Sequence, residues 1–305
     1  MDALAIEVKG LIKSYGDVKA VRGIDLSVRK GEVFALLGPN GAGKTTTVEI
    51  MEGFRDRSGG DVRVLGHDPA KGERAFKSRV GIVLQSTGID PYLTVAETID
   101  LFRQYYPNPR PVDEIVEVVG LKEKRDTRVL KLSGGQQRRL DVAIALSGDP
   151  ELLFLDEPTT GFDPSARRNA WGVVKNLADL GKTIFLTTHY MDEAQYLAAR
   201  VAVIAAGKIV AEGPPSSLAG RDTAATVVRF RLPESDALLP PAIRDAATST
   251  NGLFEVRTED PTRTLYELTG WALERGIRLE ALDVTRPTLE DVYLHLTGGG
   301  EGVEG

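Results

Sequence analysis

Residues 38–47 read GPNGAGKTTT, a glycine-rich run that ends in a lysine and three threonines. Glycines let consecutive backbone N–H groups curl around an anion. Gly38, Gly43 and Lys44 have the spacing of a phosphate loop, whose lysine reaches the β- and γ-phosphates of a nucleotide. The hydroxyl of Thr45 would bind Mg²⁺. Because an apolar run precedes the motif and a helical pattern follows it, the sequence predicts a nucleoside triphosphate site here.

A pair of acids follows a second apolar run. Leu152 to Leu155 are apolar, and they deliver Asp156 and Glu157 to the end of a predicted strand. Ligands of open parallel sheets bind at the carboxyl ends of the strands. We therefore predict that Asp156 organises Mg²⁺ and that Glu157 positions or deprotonates the attacking water. Two solvated loop acids are the alternative.

Three further residues are candidates for the same site. Gln85 ends the apolar run VGIVLQ, and His189 ends TIFLTTH. Both are predicted at strand ends, where the glutamine would meet Mg²⁺ or the attacking water and the histidine a γ-phosphate. Tyr15 could stack on a nucleotide base. The alternatives are a strand-exit glutamine, a structural histidine and a surface tyrosine.

Residues 131–146, KLSGGQQRRLDVAIAL, predict a second helix start with the features of an anion receptor. Ser133 is a good N-cap, and Gly134 and Gly135 allow a ligand to approach the backbone closely. Helix N-termini attract anions. Since the phosphate loop already provides one such receptor, the sequence raises the question of which phosphate the second receptor serves.

The composition limits the classes of function. The net charge of -6 argues against a protein that coats nucleic acid, and we expect no nucleic-acid partner. The chain has no cysteine and only three histidines, so disulfides and zinc sites are not expected. It contains no run of about 20 apolar residues, as a membrane span requires, and no secretory signal pattern. These features predict a cytoplasmic chain.

Residues 1–220 alternate apolar runs with helical patterns, which predicts an α/β domain with a largely parallel sheet. The opening stretch has polar alternation and predicts an antiparallel flap. Helices are expected at residues 44–52, 95–105, 112–119, 135–146, 165–180 and 191–197. Buried strands are expected at residues 32–38, 79–85, 151–157 and 182–189, with a further strand region at 200–213.

Prolines, serines and glycines cluster at residues 212–223 and predict a linker. Residues 221–297 then read as a small α+β domain that closes with a helix at 287–298. No catalytic constellation is evident in it, and a regulatory or dimerisation role is expected. The glycine-rich residues 298–305 predict a disordered tail.

The order of these motifs resembles the ATP-binding cassette (ABC) ATPases over residues 3–220. LSGGQ is the most specific motif, because other phosphate-loop families lack it. The resemblance implies an α/β phosphate-loop NTPase domain with an antiparallel β subdomain and a helical subdomain, followed here by the small α+β domain. It implies catalysis by Lys44, Glu157 and His189, and Mg²⁺ ligands at Thr45, Gln85 and Asp156. The residues implied to bind ATP are Tyr15, Gly38, Pro39, Asn40, Gly41, Ala42, Gly43, Lys44, Thr45, Thr46, Gln85, Ser133, Gly134, Gly135, Gln136 and Asp163.

The resemblance also answers the question of the second helix start. In this family two nucleotide domains pack head to tail, and the LSGGQ helix of one faces the ATP on the phosphate loop of the other. Ser133, Gly134, Gly135 and Gln136 would therefore serve the nucleotide of the partner copy. ATP would hold a homodimer together, and hydrolysis would loosen it. Asp163 would bridge across the seam.

Four stretches narrow the resemblance to ABC-2-type exporters of the daunorubicin-resistance-like branch: SYGDVKAVRGIDLSV, STGIDPYLTVAETI, EPTTGFDP and LEALDVTRPTLEDVYLHLTG. Phe162 departs from the leucine usual in that loop, an apolar exchange expected to leave activity intact. In this branch a separate membrane permease forms the pore, so the chain is expected on the cytoplasmic face of the membrane. Residues 85–106 are the expected docking surface.

The expected function is ATP hydrolysis that drives export of a drug-like or lipid-like compound. The alternatives are an importer ATPase and a soluble ABC ATPase that acts on DNA, ribosomes or cofactor assembly. The soluble class usually has paired cassettes, a long coiled-coil insertion or a basic arm, and none of these is evident in the sequence. The cargo and the identity of the permease stay open at this stage.

Overall fold

A computed structural model describes residues 3–83, 88–218, 225–232, 239–250 and 252–285. Contacts divide the chain into two units, Met1–Pro215 and Ser216–Gly305. Residues 219–224, around the boundary expected from the sequence, lie outside the described residues, as do the predicted closing helix and the predicted disordered tail. No helix in the part of the chain that the structure describes is long and apolar enough to cross a membrane.

The strands described in the first unit are β1 (Leu4–Tyr15), β2 (Val18–Arg29), β3 (Val33–Leu37), β4 (Gly59–Val64), β5 (Val80–Val83), β6 (Leu152–Asp156), β7 (Thr183–Thr188), β8 (Arg200–Ala205) and β9 (Lys208–Gly213). Its described α-helices are α1 (Lys44–Glu52), α2 (Arg74–Lys77), α3 (Val95–Arg103), α4 (Val112–Val118), α5 (Gly134–Ala145), α6 (Pro164–Asp179) and α7 (Met191–Leu197). The six helices expected from the sequence all form, and their observed ends lie within two residues of the expected ones. The short helix α2 was not expected.

A mainly parallel sheet forms the centre of the first unit. Its strand order is β5-β6-β7-β3-β8-β9, and only β9 runs antiparallel to its neighbour. All residues of β3 and β7 are buried. Strands covered on both faces are mostly apolar, because helices shield each side of a parallel sheet. The apolar runs in the sequence therefore identified these strands correctly, although three of the six buried residues of β7 are threonines.

A second sheet, of order β2-β1-β4, is antiparallel. Its strands alternate buried and exposed residues, as expected for a sheet with one face on the core. Its buried residues join those of β3, β6 and β8 in one hydrophobic cluster. Helix α3 contacts both α4 and α5, which gives a helical region beside the sheets. The predicted fold class, with its antiparallel β and helical subdomains, is confirmed.

The second unit has its own sheet and core. Its strands are β10 (Thr226–Arg231), β11 (Ala247–Thr250), β12 (Leu253–Thr258) and β13 (Glu280–Thr285), and its helices are α8 (Pro241–Ala246) and α9 (Pro261–Glu274). The sheet is antiparallel with the order β11-β12-β10-β13. Val228, Phe230, Leu268 and Trp271 lie in its core. Strand β11 was not expected, because its sequence ATST carries no apolar alternation.

Candidate nucleotide-binding site

The carboxyl ends of β3, β7 and β6 lie side by side, because the three strands are neighbours in the parallel sheet. Gly38 follows β3, Asp156 ends β6 and His189 follows β7. The backbone N–H of Gly38 donates to the carbonyl oxygen of Thr188 at 3.2 Å, which fixes the start of the glycine loop against β7. The structure thus brings three sequence-predicted parts of the site to one sheet edge.

The glycines of the loop are required by close packing and backbone conformation. A Cβ on Gly38 would lie 2.4 Å from the carbonyl oxygen of Ile204. Gly43 has φ 105°, a conformation that side chains disfavour, and a Cβ there would lie 2.6 Å from the carbonyl oxygen of Ala20. Gly43 is also the N-cap of α1, so no capping side chain occupies the first N–H groups of the helix. Those groups can receive an anion.

These residues form a cavity of about 360 Å³, which we call the phosphate-loop cavity. Its lining is polar or small throughout and comes from the loop, the first turn of α1, one residue of β2 and one acid. The lining residues are Ala20, Asn40, Gly41, Gly43, Lys44, Thr45, Thr46 and Glu157. Six sequence-predicted residues of the phosphate-loop motif and the predicted catalytic acid therefore share one cavity.

Lys44 is almost fully buried and holds three oxygen partners. Its Nζ donates to the carbonyl oxygens of Gly38 at 2.9 Å and Pro39 at 3.2 Å. It also lies 3.2 Å from Oε1 of Glu157, and the side chains of Lys44 and Glu157 are only 4% and 12% exposed. The lysine is therefore positioned in the cavity by the loop that it is expected to serve.

The carboxyl group of Glu157 is held in its ionised form. Burial raises its pKa, but the Lys44 ammonium, the Thr160 hydroxyl and His189 together lower it below the ordinary glutamate range. The hydroxyl of Thr160 donates to Oε2 at 3.0 Å. A buried carboxylate beside the phosphate loop can orient a water and accept its proton.

The backbone of Glu157 is strained and is held in place by β7. Its φ is 45°, in the left-handed region that residues with a Cβ rarely adopt, at a typical cost of about 1–3 kcal/mol. Its N–H donates to the hydroxyl oxygen of Thr187 at 3.0 Å. That hydroxyl in turn donates to Oδ1 of Asp156 at 2.5 Å. One threonine thus positions both acids.

Asp156 and Thr45 provide oxygen donors of the kind that Mg²⁺ prefers. Burial raises the pKa of Asp156, a hydrogen bond from Thr187 opposes that rise, and the neighbouring Glu157 adds to it. A cation beside Asp156 would reverse this shift. Gln85, the third predicted ligand, lies outside the described residues. Across the described ranges, no group of three His, Asp or Glu residues could bind a metal by itself.

His189 lies next to Glu157, the predicted catalytic acid. Its Nδ1 is 3.4 Å from Oε2 of Glu157 but is buried without a hydrogen bond. Its ring packs on Tyr190, with 4.1 Å between the ring centroids. The structure therefore places this histidine at the predicted sheet edge, with one buried ring nitrogen that makes no hydrogen bond to the described residues.

Tyr15 lies at the end of β1, and 40% of its surface is exposed. The ammonium of Lys13 lies 5.0 Å from its ring centroid, and the guanidinium of Arg55 lies 5.3 Å from it. Cations over an aromatic face are attracted by its quadrupole. The structure leaves the ring accessible, and its role as a base platform stays a prediction.

At the second predicted receptor, the start of α5, two side chains of the helix itself cap its first backbone N–H groups. Oγ of Ser133 accepts from the N–H of Gln136 at 3.3 Å, and Oε1 of Gln136 accepts from the N–H of Ser133 at 3.0 Å. This reciprocal pair is a capping box. Asp163 caps α6 in a similar way, accepting from two backbone N–H groups.

The starts of α5 and α6 line a cavity of about 410 Å³, which we call the Ser133 cavity. Ser133, Gly134 and Gly135 line it together with Phe162 and Asp163. It shares no described lining residue with the phosphate-loop cavity. The two helix starts that are predicted to bind anions therefore line different cavities.

Sequence reasoning missed the residues that hold the acids in place. Thr187 precedes the predicted histidine by two positions and pairs with Asp156 in the sheet register. Polar residues at the end of an apolar strand were a signal that could have identified it. Thr160 follows the acids in the same loop. Arg138 donates to the carbonyl oxygens of Asp156 and Pro158. Its position two residues after the LSGGQ motif was the one feature of the sequence that could have pointed to it.

Comparison with known proteins places the chain in a family. A family model described as ABC transporter matches residues 21–160, and one described as the C-terminal domain of ABC transporter domain-containing protein-like sequences matches residues 226–288. The chain is 38% identical to the daunorubicin resistance ATP-binding protein DrrA3 of Streptomyces coeruleorubidus, over 98% of each chain. It is 40% identical to the Nod factor export ATP-binding protein I of Paraburkholderia xenovorans, again over 98% of each.

Solved structures agree with this assignment. The protein cbiO1 from Clostridium perfringens, part of the ABC transporter complex cbiONQ, is 28% identical with a TM-score of 0.63 and covers 71% of this chain and 90% of its own. An ATP-binding cassette of an ABC transporter in its ADP conformation is 25% identical with a TM-score of 0.60, over 69% and 91%. The resemblance to the daunorubicin-resistance-like branch is confirmed. The chain belongs to the family of ABC transporter ATP-binding proteins.

Proposed function

We propose that the chain is the ATP-binding and ATP-hydrolysing subunit of an ABC exporter, and that two copies close head to tail around ATP. One observation carries the proposal: a single chain presents two receptors in separate cavities. The phosphate-loop cavity contains the buried lysine and the acid, whereas the Ser133 cavity offers a glycine-lined helix start. Packing the second cavity of one copy on the first cavity of another completes each nucleotide site.

The contact between Lys44 and Glu157 gives a way for bound ATP to turn Glu157 into a better general base. In the free chain the ammonium of Lys44 is engaged by the carboxylate at 3.2 Å. A γ-phosphate is a more highly charged partner, so Lys44 turns to the phosphate oxygens. Glu157 then loses the charge that lowers its pKa while its burial persists. Its pKa rises toward the range that suits a general base.

Thr45, Asp156 and Gln85 are the proposed holders of Mg²⁺, which neutralises charge on the phosphate oxygens when bound. Thr187 keeps Asp156 in position through its 2.5 Å hydrogen bond. His189 is proposed to donate from its ring to the γ-phosphate, close to the acid that orients the water. Asp156, Thr187 and His189 lie at strand ends, so these parts of the proposed site are supported by the sheet, whereas Thr45 lies in the first turn of α1.

Ser133, Gly134, Gly135 and Gln136 are proposed to contact the ATP bound by the partner copy. Ser133 and Gly134 are exposed on the free chain, and Asp163 beside them is exposed as well. An exposed, uncharged helix start can receive a phosphate from a second molecule without first breaking an ion pair. Asp163 is proposed to bridge the seam between the copies.

A separate permease is proposed as the membrane partner, with the chain bound on its cytoplasmic face. The proposed docking surface is residues 85–106, of which 88–106 are described. Tyr92, Leu101 and Tyr105 are 71%, 44% and 73% exposed on it. Exposed large apolar side chains in one stretch are typical of an interaction site. The similarity to proteins named for daunorubicin resistance and Nod factor export supports a drug-like or lipid-like cargo.

The test is capture of the tagged chain from gently solubilised native membranes, followed by mass spectrometry. A stoichiometric protein with several membrane-spanning helices is expected to copurify. A Tyr92→Asp, Tyr105→Asp double variant should lose it, whereas Glu157→Gln should retain it. Recovery of the wild-type chain only in the soluble fraction, with ribosomal or DNA-repair proteins, would contradict the exporter proposal.

A further inference from the structure

Arg138 connects the helix of the Ser133 cavity to the loop that carries the catalytic acid. It lies on α5, whose first turn lines the Ser133 cavity. Its Nε donates to the carbonyl oxygen of Pro158 at 3.3 Å, and one of its terminal nitrogens donates to the carbonyl oxygen of Asp156 at 3.1 Å. The two acceptors are the backbone groups on either side of Glu157.

The contact from Arg138 restrains the strained backbone of Glu157. Glu157 has a left-handed conformation that a glutamate does not favour on its own. Thr187 fixes its N–H from the sheet side. Arg138 fixes the carbonyls before and after it from the helix side. The direction in which the carboxylate points is therefore set from two elements at once.

The guanidinium is suited to this task by its shape and environment. The side chain of Arg138 is 11% exposed, and its other terminal nitrogen lies 3.6 Å from Asp141 one turn along the helix. Arginine presents several N–H donors in a rigid planar fork, whereas a lysine ammonium is a single flexible point. A lysine at this position keeps the charge but cannot hold both carbonyls with the same geometry.

We propose that Arg138 is a positioning residue for hydrolysis: it sets the orientation of Glu157 and ties that orientation to the helix that receives the partner's ATP. The inference rests on the proposed function, since it assumes that Glu157 acts on a bound water. Its consequence is mechanical. When the start of α5 is pressed onto a nucleotide, the same helix restrains the acid at its own chain's site.

The test compares Arg138→Lys with Arg57→Lys in the intact chain. Arg57 is also a largely buried arginine, but it donates to the carbonyl oxygen of Gly60 at 2.9 Å and to Asp68, and it lines neither the phosphate-loop cavity nor the Ser133 cavity. Since small displacements of a catalytic group cost up to about 100-fold in rate, Arg138→Lys should lower kcat about 10- to 100-fold. The KM for ATP and the midpoint of thermal unfolding should stay close to those of Arg57→Lys.

Dimer trapping separates positioning from a merely structural role. If Arg138 acts through Glu157, Arg138→Lys should accumulate an ATP-bound dimer on gel filtration, as is expected of Glu157→Gln, and Arg57→Lys should not. Equal kcat in the two lysine variants would overturn the inference, and so would a loss that comes from a raised KM, a failure to dimerise or a lower thermal midpoint. If the wild type does not hydrolyse ATP and Glu157→Gln forms no dimer, the proposed function fails first and this inference with it.

Discussion

The two anion receptors of this chain differ in what surrounds them. The start of α1 has a glycine N-cap, a buried lysine and the ionised Glu157 beside it. The start of α5 is capped by its own Ser133 and Gln136, is exposed, and faces the end of another capped helix. The proposed function assigns the first to holding a highly charged ligand and acting on it. It assigns the second to adding contacts to a ligand held by another chain.

In the proposed dimer, this difference gives two tasks to different parts of one chain: holding a nucleotide and joining a second copy. In the proposed head-to-tail dimer, each chain supplies the catalytic residues for its own nucleotide and one helix start for the nucleotide of its partner. Ligand affinity and ligand-driven association are therefore assigned to separate residues, and variants should separate them. The following predictions test that separation, from the largest expected effect to the smallest.

Glu157→Gln should remove hydrolysis while keeping both receptors. The amide keeps the shape of the side chain but cannot accept a proton, and general-base catalysis contributes about 10²–10⁴-fold. ATP binding should persist, and gel filtration with ATP should show a dimer that the wild type forms only transiently. Exposed Glu123→Gln is the control. If the Glu157→Gln variant runs only as a monomer with ATP, the claim that ATP joins two copies through these helix starts would be contradicted.

Lys44→Ala should lower the hydrolysis rate by about 10²–10³-fold, as the loss of a preorganised electrostatic partner does. Nucleotide affinity should fall with it, because the buried ammonium is the main positive charge of the phosphate-loop cavity. ATPase assays and titration with a fluorescent nucleotide check both effects, with exposed Lys124→Ala as the matched control. Near-normal turnover would sink the assignment of the phosphate-loop cavity.

Ser133→Arg should leave nucleotide binding by the monomer unchanged and should reduce dimer-dependent hydrolysis at least about 10-fold, because a bulky side chain blocks the helix start. Ser133→Ala is the companion variant. It removes the cap, which typically costs about 1 kcal/mol of helix stability, without blocking the approach of a ligand. Loss of ATP binding by the isolated Ser133→Arg monomer would show that the Ser133 cavity serves its own chain.

The smallest predicted effect concerns the acids around α1. Glu52 is 6% exposed, and burial, with the nearby charges of Asp156 and Glu49, raises its pKa to about 8. An unfolded glutamate titrates near about 4.3. Between these values the folded protein keeps a proton that the unfolded chain has released, so this group's contribution to stability is lost as pH rises through that window.

Glu52→Gln removes this titration. Its midpoint of thermal unfolding should exceed that of the wild type at pH 8 by several degrees, up to about 10 °C, and the difference should vanish near pH 4–5. Scanning calorimetry without nucleotide and with a chelator measures it. The Ser133 variants keep Glu52, so the difference between their thermal midpoints and that of the wild type should not change with pH in this way. An equal shift at both pH values would mean that Glu52 is not protonated in the fold.

The sequence predicted much of this architecture because its signals were local. Apolar runs identified β3, β6 and β7, and their shared direction brought Lys44 close to Glu157. The pairing of Lys44 with Glu157 was beyond reach, since it depends on the position of a strained backbone. Thr187 and Arg138 act on the acids across a sheet contact and a helix contact that no spacing in the sequence encodes. The polar end of an apolar strand marked Thr187 as a candidate, but it did not reveal the partner of that residue.

The central claim is that the two receptors meet between chains, and mixing two inactive variants tests it directly. A dimer of Lys44→Ala with Ser133→Arg contains one site with both defects and one site with neither, but only if the receptors pair in trans. In an equal mixture half of the dimers are of this kind, so about a quarter of wild-type ATPase activity should return. Activity no greater than the sum of the two separate variants would contradict the account.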